Sequence, residues 1–183
     1  STILSPNMQT YRNKSGKYTY GRNGTPTSES LTLSIASLYN AHGCVLAPSG
    51  MAAITTSLMS VLKANDHILI PDSVYGSTRR FVIEEFPRLN IDYEFYNSRD
   101  LEHLKSLIKE NTSAIYLESP GTYTFEIIDI QKVVNISKKY KLKTIIDNTW
   151  ATALYFNPLE FGVDIVIEAI TKYISGHSDI MMG

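Results

Sequence analysis

Ile130-Gln-Lys-Val-Val-Asn-Ile-Ser-Lys-Lys-Tyr140 begins the stretch that decides the fold, because its apolar residues recur at the spacing of a helix. Lys143-Thr-Ile-Ile146 follows closely and is short and rich in β-branched residues, which is typical of a buried strand. Asp147 comes directly after it. The stretch therefore predicts a helix that leads into a strand, with a carboxylate at the C-terminal end of that strand.

The same alternation extends on both sides of this stretch. Predicted helices cover residues 28–40, 51–62, 78–86 and 101–110, and predicted strands cover residues 44–47, 67–70, 93–96, 114–117 and 163–170. Strands that alternate with helices pair in parallel, since each connection crosses back over the sheet. We therefore expect an α/β fold, with a mostly parallel sheet and helices on both faces. Residues 1–27 are polar and predict an extended, irregular N-terminal arm, which leaves residues 28–183 as one large domain.

Composition limits the class of protein. The chain has 183 residues, of which 43% are hydrophobic, and this is enough for one sizeable core. No apolar run approaches the roughly 20 residues of a membrane-spanning helix. A net charge of -1 with scattered basic residues gives no reason to expect nucleic acid as a partner. The single cysteine, Cys44, is interpreted as a core residue of a reducing, cytoplasmic protein, and the start of the chain predicts no secretory signal. The four histidines lack metal-ligand spacing, so no metal site is predicted.

A second informative stretch is Ala169-Ile-Thr-Lys172-Tyr-Ile-Ser-Gly-His177-Ser-Asp179, which sets a lysine among small polar residues just after an apolar run. At the end of a buried strand, Lys172 would lie where α/β folds hold their ligands. Desolvation and nearby positive charge would activate its amine to attack a carbonyl and form a Schiff base. A solvated loop lysine is the alternative, and the other motifs must decide between the two.

Two further motifs at strand ends suit a phosphorylated ring. In Pro48-Ser49-Gly50-Met51, a turn into a helix presents amides and a helix dipole to an anion, although any tight turn can require a glycine. Asp147 would place a carboxylate at the edge of the sheet, where a protonated ring nitrogen would pair with it and make the ring an electron sink. The alternative is an aspartate that caps the following turn.

Two tyrosines and an arginine complete the candidate set. Tyr75 follows the predicted strand 67–70 and would stack on a flat ring, although an ordinary half-buried tyrosine is the alternative in a chain with 12 of them. Tyr20 and Arg22 suit phosphate oxygens, and from an arm they would reach a neighbouring subunit more readily than their own core. Solvated arm residues are the alternative there.

Together these motifs resemble, nearly from end to end, the Cys/Met-metabolism branch of fold-type I pyridoxal-phosphate enzymes. The resemblance implies the large, cofactor-binding domain of that fold, with pyridoxal 5'-phosphate as the cofactor. The motifs that carry it are Tyr20-Gly-Arg22, Ser49-Gly-Met-Ala-Ala53, Tyr75-Gly76, Glu118-Ser-Pro120, Asp147-Asn-Thr149, Thr171-Lys172-Tyr173 and Gly176-His-Ser-Asp179.

The resemblance also implies catalytic roles. Lys172 would bind the cofactor covalently and then move protons at the substrate's Cα and Cβ. Asp147 would pair with the pyridine nitrogen, and Tyr75 would stack on the ring and assist proton transfer. Ala169 stands where the family often has serine, so one phosphate contact of the family is expected to be absent.

The phosphate of the cofactor has its own implied contacts. The amides of Gly50 and Met51 and the hydroxyl of Thr171 would hold it within one chain. Tyr20 and Arg22 would reach the phosphate of an adjacent subunit, which implies a homo-oligomer and, by resemblance, a dimer of dimers.

The residues around Trp150 indicate which substrate the resemblance implies. Asp147-Asn-Thr-Trp150-Ala151 and Glu118-Ser-Pro-Gly121 resemble the bacterial cystathionine β-lyases of the family. This implies β-elimination of L-cystathionine to homocysteine, pyruvate and ammonia, with cystathionine γ-lyase, cystathionine γ-synthase and methionine γ-lyase activities as alternatives. Enzymes of the family continue past the lysine motif into a C-terminal domain with a substrate-binding arginine. The chain is therefore expected to be a fragment of such an enzyme, or else a noncatalytic remnant or interaction protein.

Overall fold

The computed structural model describes residues 2–183. The chain divides into two compact units, residues 1–46 and residues 47–183. The smaller unit contains α1 (Met8–Asn13), a short 3-10 helix (Gly21–Asn23) and α2 (Pro26–Tyr39). Thr25 caps α2 reciprocally with Ser28, which satisfies donors that the start of a helix leaves open. The predicted boundary between residues 27 and 28 falls inside α2.

The larger unit is built on one five-stranded sheet. Its strands are β1 (His67–Pro71), β2 (Asp92–Tyr96), β3 (Thr112–Glu118), β4 (Lys143–Asp147) and β5 (Ile165–Ile167), in the spatial order β2-β1-β3-β4-β5. Every pairing is parallel, as the sequence predicts. The order reverses direction between β1 and β3, and such a reversal opens a crevice at the C-terminal ends of the two strands.

Helices cover both faces of this sheet. They are α3 (Gly50–Val61), α4 (Gly76–Glu85), α5 (Leu101–Ser106), α6 (Ile130–Tyr140) and α7 (Thr152–Tyr155). Side chains alternate along a strand, so Ile68 and Ile70 of β1 enter the core shared with α3 and α4, while Leu69 enters the core shared with α5 and α6. Each of these three side chains is fully buried, which stabilises the fold by about 1.5–3 kcal/mol per residue.

Three local predictions are wrong. No strand forms over residues 44–47, although Ala47 exchanges two backbone hydrogen bonds with Gly183, and Val45 is 84% exposed. The arm is not irregular throughout, because residues 8–13 are helical and the Asn7 side chain caps them. The predicted strand 163–170 is formed only at Ile165–Ile167, because its partner β4 ends at Asp147, opposite Ile167.

Among residues 2–183, no helix is long and apolar enough to cross a membrane.

Candidate active site

A cavity of about 680 Å³ lies at the C-terminal ends of β1, β3 and β4. This is the edge at which open parallel sheets hold ligands. Its lining includes six of the eight site residues that the sequence predicts: Gly50, Met51, Tyr75, Asp147, Thr171 and Lys172. The fold therefore brings together side chains that are distant in the sequence.

The N-terminus of α3 forms one side of the cavity. Ser49 caps the helix, and its hydroxyl accepts the Ala52 amide at 3.0 Å. The amides of Gly50 and Met51 are first-turn groups without an intrahelical acceptor, so they and the helix dipole suit an anion. A Cβ on Gly50 would lie 2.6 Å from the Cβ of Ala169. The close approach of α3 to the segment after β5 therefore requires glycine.

Asp147 presents a carboxylate to the cavity from the end of β4. Its Oδ1 accepts the Thr149 amide at 3.0 Å, so the residue caps the following turn and lines the cavity at once. Burial raises the pKa of Asp147, and the Thr149 hydrogen bond and the charge of Lys172 offset part of that increase. A desolvated carboxylate gains from a cationic partner, and a protonated ring nitrogen would be one.

Glu118 is a cavity residue that the sequence analysis quoted only within a motif. It ends β3 directly opposite Asp147 in the sheet register and is 7% exposed. Its Oε2 accepts the Tyr75 amide at 2.8 Å, and its Oε1 accepts the Thr122 hydroxyl. Burial raises the pKa of Glu118 to about 7, although both donors oppose the shift. The signal for it was available, because a carboxylate follows the predicted strand 114–117.

Tyr75 lies between β1 and α4, where its side chain is 43% exposed and lines the cavity. An aromatic ring that is half exposed at a cavity wall offers a face to a flat ligand. The Tyr75 carbonyl accepts the Arg79 amide at 2.9 Å, which makes Tyr75 the first residue before the α4 helix.

Lys172 lines the cavity, but its environment differs from the prediction. β5 ends at Ile167, so Lys172 lies in a turn five residues later, and its side chain is exposed. The turn is held by the Lys172 amide, which donates to the Ala169 carbonyl at 3.0 Å, and by the Gly176 amide, which donates to the Lys172 carbonyl at 2.9 Å. Lys172 is therefore less buried than a residue at the end of a buried strand would be, and it borders the cavity.

The hydroxyl of Thr171 is already hydrogen-bonded. It donates to the Met182 carbonyl at 3.3 Å and accepts the Met182 amide at 3.1 Å. Donation to a phosphate therefore requires the hydroxyl to turn away from Met182.

Three aromatic side chains form one wall of the cavity. Trp150 and Tyr173 are stacked, with ring centroids 6.0 Å apart and planes 7° apart, and Phe125 tilts against Trp150 at 6.1 Å. The sequence motifs indicate a role for Trp150 but none for Phe125 or Tyr173. Because Tyr173 directly follows Lys172, the stacking of Trp150 on Tyr173 stabilises the backbone next to the lysine.

Tyr20 and Arg22 belong to the smaller unit. Both are exposed, and the Arg22 guanidinium lies 5.3 Å from the centroid of the Tyr20 ring. Their contact with the phosphate of an adjacent subunit stays a prediction. Across residues 2–183, no group of three or more His, Cys, Asp or Glu side chains is arranged to hold a metal ion.

The sequence model of the family described as "Cys/Met metabolism PLP-dependent enzyme" matches residues 2–183. The chain belongs to this family. The cystathionine β-lyase of Bacillus subtilis (strain 168) is 41% identical over 168 residues, which cover 92% of this chain and 43% of that protein. The L-alanine/L-glutamate racemase of Wolbachia pipientis wMel is 38% identical over 197 residues, which cover 100% of this chain and 48% of that protein.

A solved structure from Campylobacter jejuni subsp. jejuni NCTC 11168 matches the fold. The match has a TM-score of 0.90 and a sequence identity of 28%, and it covers 99% of this chain and 46% of the Campylobacter jejuni chain. That structure contains N'-pyridoxyl-lysine-5'-monophosphate. The predictions of the family, of the parallel α/β fold and of pyridoxal phosphate as the cofactor are confirmed.

The members of this family that the chain matches are longer than it is. The chain spans about half the length of the curated relatives it matches. The residues that it does contain fit the cofactor, because the cavity is lined by the first-turn residues Gly50 and Met51 of a helix, by the carboxylate of Asp147 and by the exposed residue Lys172.

Proposed function

We propose that this chain forms the cofactor-binding part of a lyase that acts on L-cystathionine. In the proposed β-elimination, L-cystathionine and water give homocysteine, pyruvate and ammonia. The observation that carries the proposal is the cavity whose lining combines Lys172, Asp147 and Tyr75. Residues 28–183 would act as the cofactor-binding domain, and residues 1–27 as the arm.

The cavity residues bind and orient the cofactor. The amides of Gly50 and Met51 hold its phosphate at the N-terminus of α3. Asp147 keeps a proton on the pyridine nitrogen, since the buried carboxylate is stabilised by a positive neighbour. The ring of Tyr75 covers one face of the ligand. When bound, pyridoxal phosphate withdraws electrons from the substrate's Cα and so stabilises the charge left by proton removal.

Lys172 moves the protons of the reaction. Its amine takes the proton from Cα and delivers a proton to the sulfur that leaves Cβ, which is general acid–base catalysis by one group. The Tyr75 hydroxyl lines the same cavity and assists this transfer. The stack of Trp150 on Tyr173 stabilises the backbone next to Lys172, from which the amine extends.

Similarity supports cystathionine as the substrate, because the Bacillus subtilis relative is a cystathionine β-lyase. The racemase relative, which is 38% identical over the whole chain, supports a second candidate, racemisation of a small amino acid. Both reactions begin with removal of the Cα proton. Activities of the cystathionine γ-lyase, cystathionine γ-synthase and methionine γ-lyase kind would use the same first step. We further propose that the protein is a homo-oligomer, a dimer of dimers, in which Tyr20 and Arg22 reach the phosphate held by an adjacent subunit.

The first experiment is a visible absorbance spectrum of the protein with pyridoxal phosphate, before and after borohydride reduction. Mass spectrometry then locates the reduced adduct. We expect it on Lys172, and we expect Lys172→Ala to lose it while the far-ultraviolet circular dichroism is unchanged. Lys105→Ala is the matched control, because Lys105 lies outside the cavity in an ion pair with Glu102. An adduct that persists in Lys172→Ala would contradict the proposed site.

Turnover separates the candidate activities. Pyruvate release from L-cystathionine supports β-elimination, whereas conversion of L-alanine to D-alanine without pyruvate supports racemisation. A stable adduct on Lys172 with neither product is expected both of a fragment of a longer lyase and of the noncatalytic alternative.

A further inference from the structure

The α4 helix begins at an unusual residue. Tyr75 is its N-cap, with φ -47° and ψ 133°, and its side chain makes no capping hydrogen bond. A helix start leaves backbone donors without partners, and Ser, Thr, Asp or Asn ordinarily satisfies one of them from this position. A tyrosine cannot do so while its ring faces the cavity. The amide of Tyr75 itself also needs an acceptor, which in a capping box is a side chain at the third helical position.

Glu118 supplies that acceptor from β3. Its Oε2 lies 2.8 Å from the Tyr75 amide nitrogen, across a sequence separation of 43 residues. In a capping box, a glutamate at the third helical position accepts the N-cap amide. That position in α4 is the fully buried Thr78, so Glu118 makes the equivalent bond from the neighbouring strand. A carboxylate at this helix end also interacts favourably with the helix dipole.

Glu118 also joins two loops at the mouth of the cavity. Its Oε1 accepts the hydroxyl of Thr122, and the Thr122 amide donates to the Ser73 carbonyl at 2.9 Å. The loops are in close contact, since a Cβ on Gly121 would lie 2.6 Å from Ser73 Oγ. One carboxylate thus fixes the segment before α4 against the segment after β3.

We propose that Glu118 is the positioning residue of Tyr75, because it accepts the Tyr75 amide in place of a side chain at Thr78 and so fixes the backbone from which the ring lines the cavity. The identity of the ligand beneath the ring rests on the proposed function. The contact between Glu118 and the Tyr75 amide does not, because it exists in the protein alone.

Hydrogen exchange of the Tyr75 amide tests the contact without any cofactor. In Glu118→Ala the amide loses its acceptor, and we expect it to exchange about tenfold faster, as the loss of one hydrogen bond predicts. Glu118→Gln keeps an oxygen for the same donor, and we expect it to restore most of the protection. Glu126→Ala is the matched control, because Glu126 lies in the same loop, accepts the Ser98 hydroxyl and is outside the cavity lining. If Glu118→Ala exchanges like Glu126→Ala, the proposal is wrong.

A double-mutant cycle tests the effect on the ligand. The dissociation constant of pyridoxal phosphate is measured by quenching of Trp150, the single tryptophan, which lines the cavity. We expect Glu118→Ala to raise it about fivefold, the size of a lost aromatic contact, and to have no further effect in Tyr75→Ala. Equal effects in both backgrounds would mean that Glu118 does not act through Tyr75. Absence of binding by the unsubstituted protein would overturn the proposed function instead, and amide exchange would still decide the role of Glu118.

Discussion

Gly50→Ala is expected to destabilise the larger unit. The added Cβ would lie 2.6 Å from the Cβ of Ala169 and 3.2 Å from its Cα. Carbon atoms pack best at about 3.5–4.0 Å, so α3 or the segment after β5 must move by about 1 Å. Overpacking of this kind costs about 1–3 kcal/mol, and alanine offsets up to about 1 kcal/mol through its helix propensity. We therefore expect the free energy of unfolding to fall by about 1–2 kcal/mol.

Urea unfolding followed by Trp150 fluorescence measures this loss. Gly76→Ala is the control, because Gly76 is also the first residue of its helix and nothing lies within 4 Å of an added Cβ. We expect that variant to be as stable as the original protein or slightly more stable. The double substitution Gly50→Ala with Ala169→Gly removes the closer contact and should recover part of the loss. If Gly50→Ala is as stable as Gly76→Ala, the inferred close approach of α3 is refuted.

Three other predictions concern buried ionisable groups. Burial and the charge of Lys109 lower the pKa of His67, so its contribution to stability is complete above about pH 6.5 and is lost as the pH falls. In His67→Gln, the urea midpoint of unfolding should therefore fall less steeply with decreasing pH. If the midpoint depends on pH as steeply as in the original protein, the prediction is wrong. Glu118 affects stability with the opposite dependence on pH. Because its pKa is raised to about 7, its contribution to stability is lost as the pH rises through about 7, and Glu118→Gln should remove that decline. A decline that survives in Glu118→Gln belongs to another group. Asp147→Ala should reduce pyruvate formation more than affinity for pyridoxal phosphate, and equal losses would count against its role at the ring nitrogen.

Periodicity predicted the larger unit well where an element packs its apolar residues into the core. The helix over residues 130–140 has the predicted bounds, and β1, β3 and β4 extend the predicted strands by only one to three residues. The failed strand at residues 44–47 is as apolar as those strands. It differs from them in burial, since Val45 is 84% exposed, and a single sequence does not reveal which apolar runs enter a core.

The candidate site was predictable to the extent that it follows from strand ends. Asp147 and Tyr75 follow predicted strands, and parallel pairing brings them to one edge. The exposure of Lys172 was not predictable, because it depends on where the pairing between β4 and β5 ends. The role of Glu118 was missed for a similar reason, since its acceptor function depends on an amide 43 residues away.

The order of the strands also has a kinetic consequence. β1 and β3 are neighbours at the centre of the sheet, yet α4, β2 and α5 lie between them in the chain, and His67 pairs with a residue 45 positions later. A contact of this span must overcome the entropy of closing a long loop before it gains any stability. We expect the formation of this central pair, rather than of any helix, to limit the rate at which the chain folds.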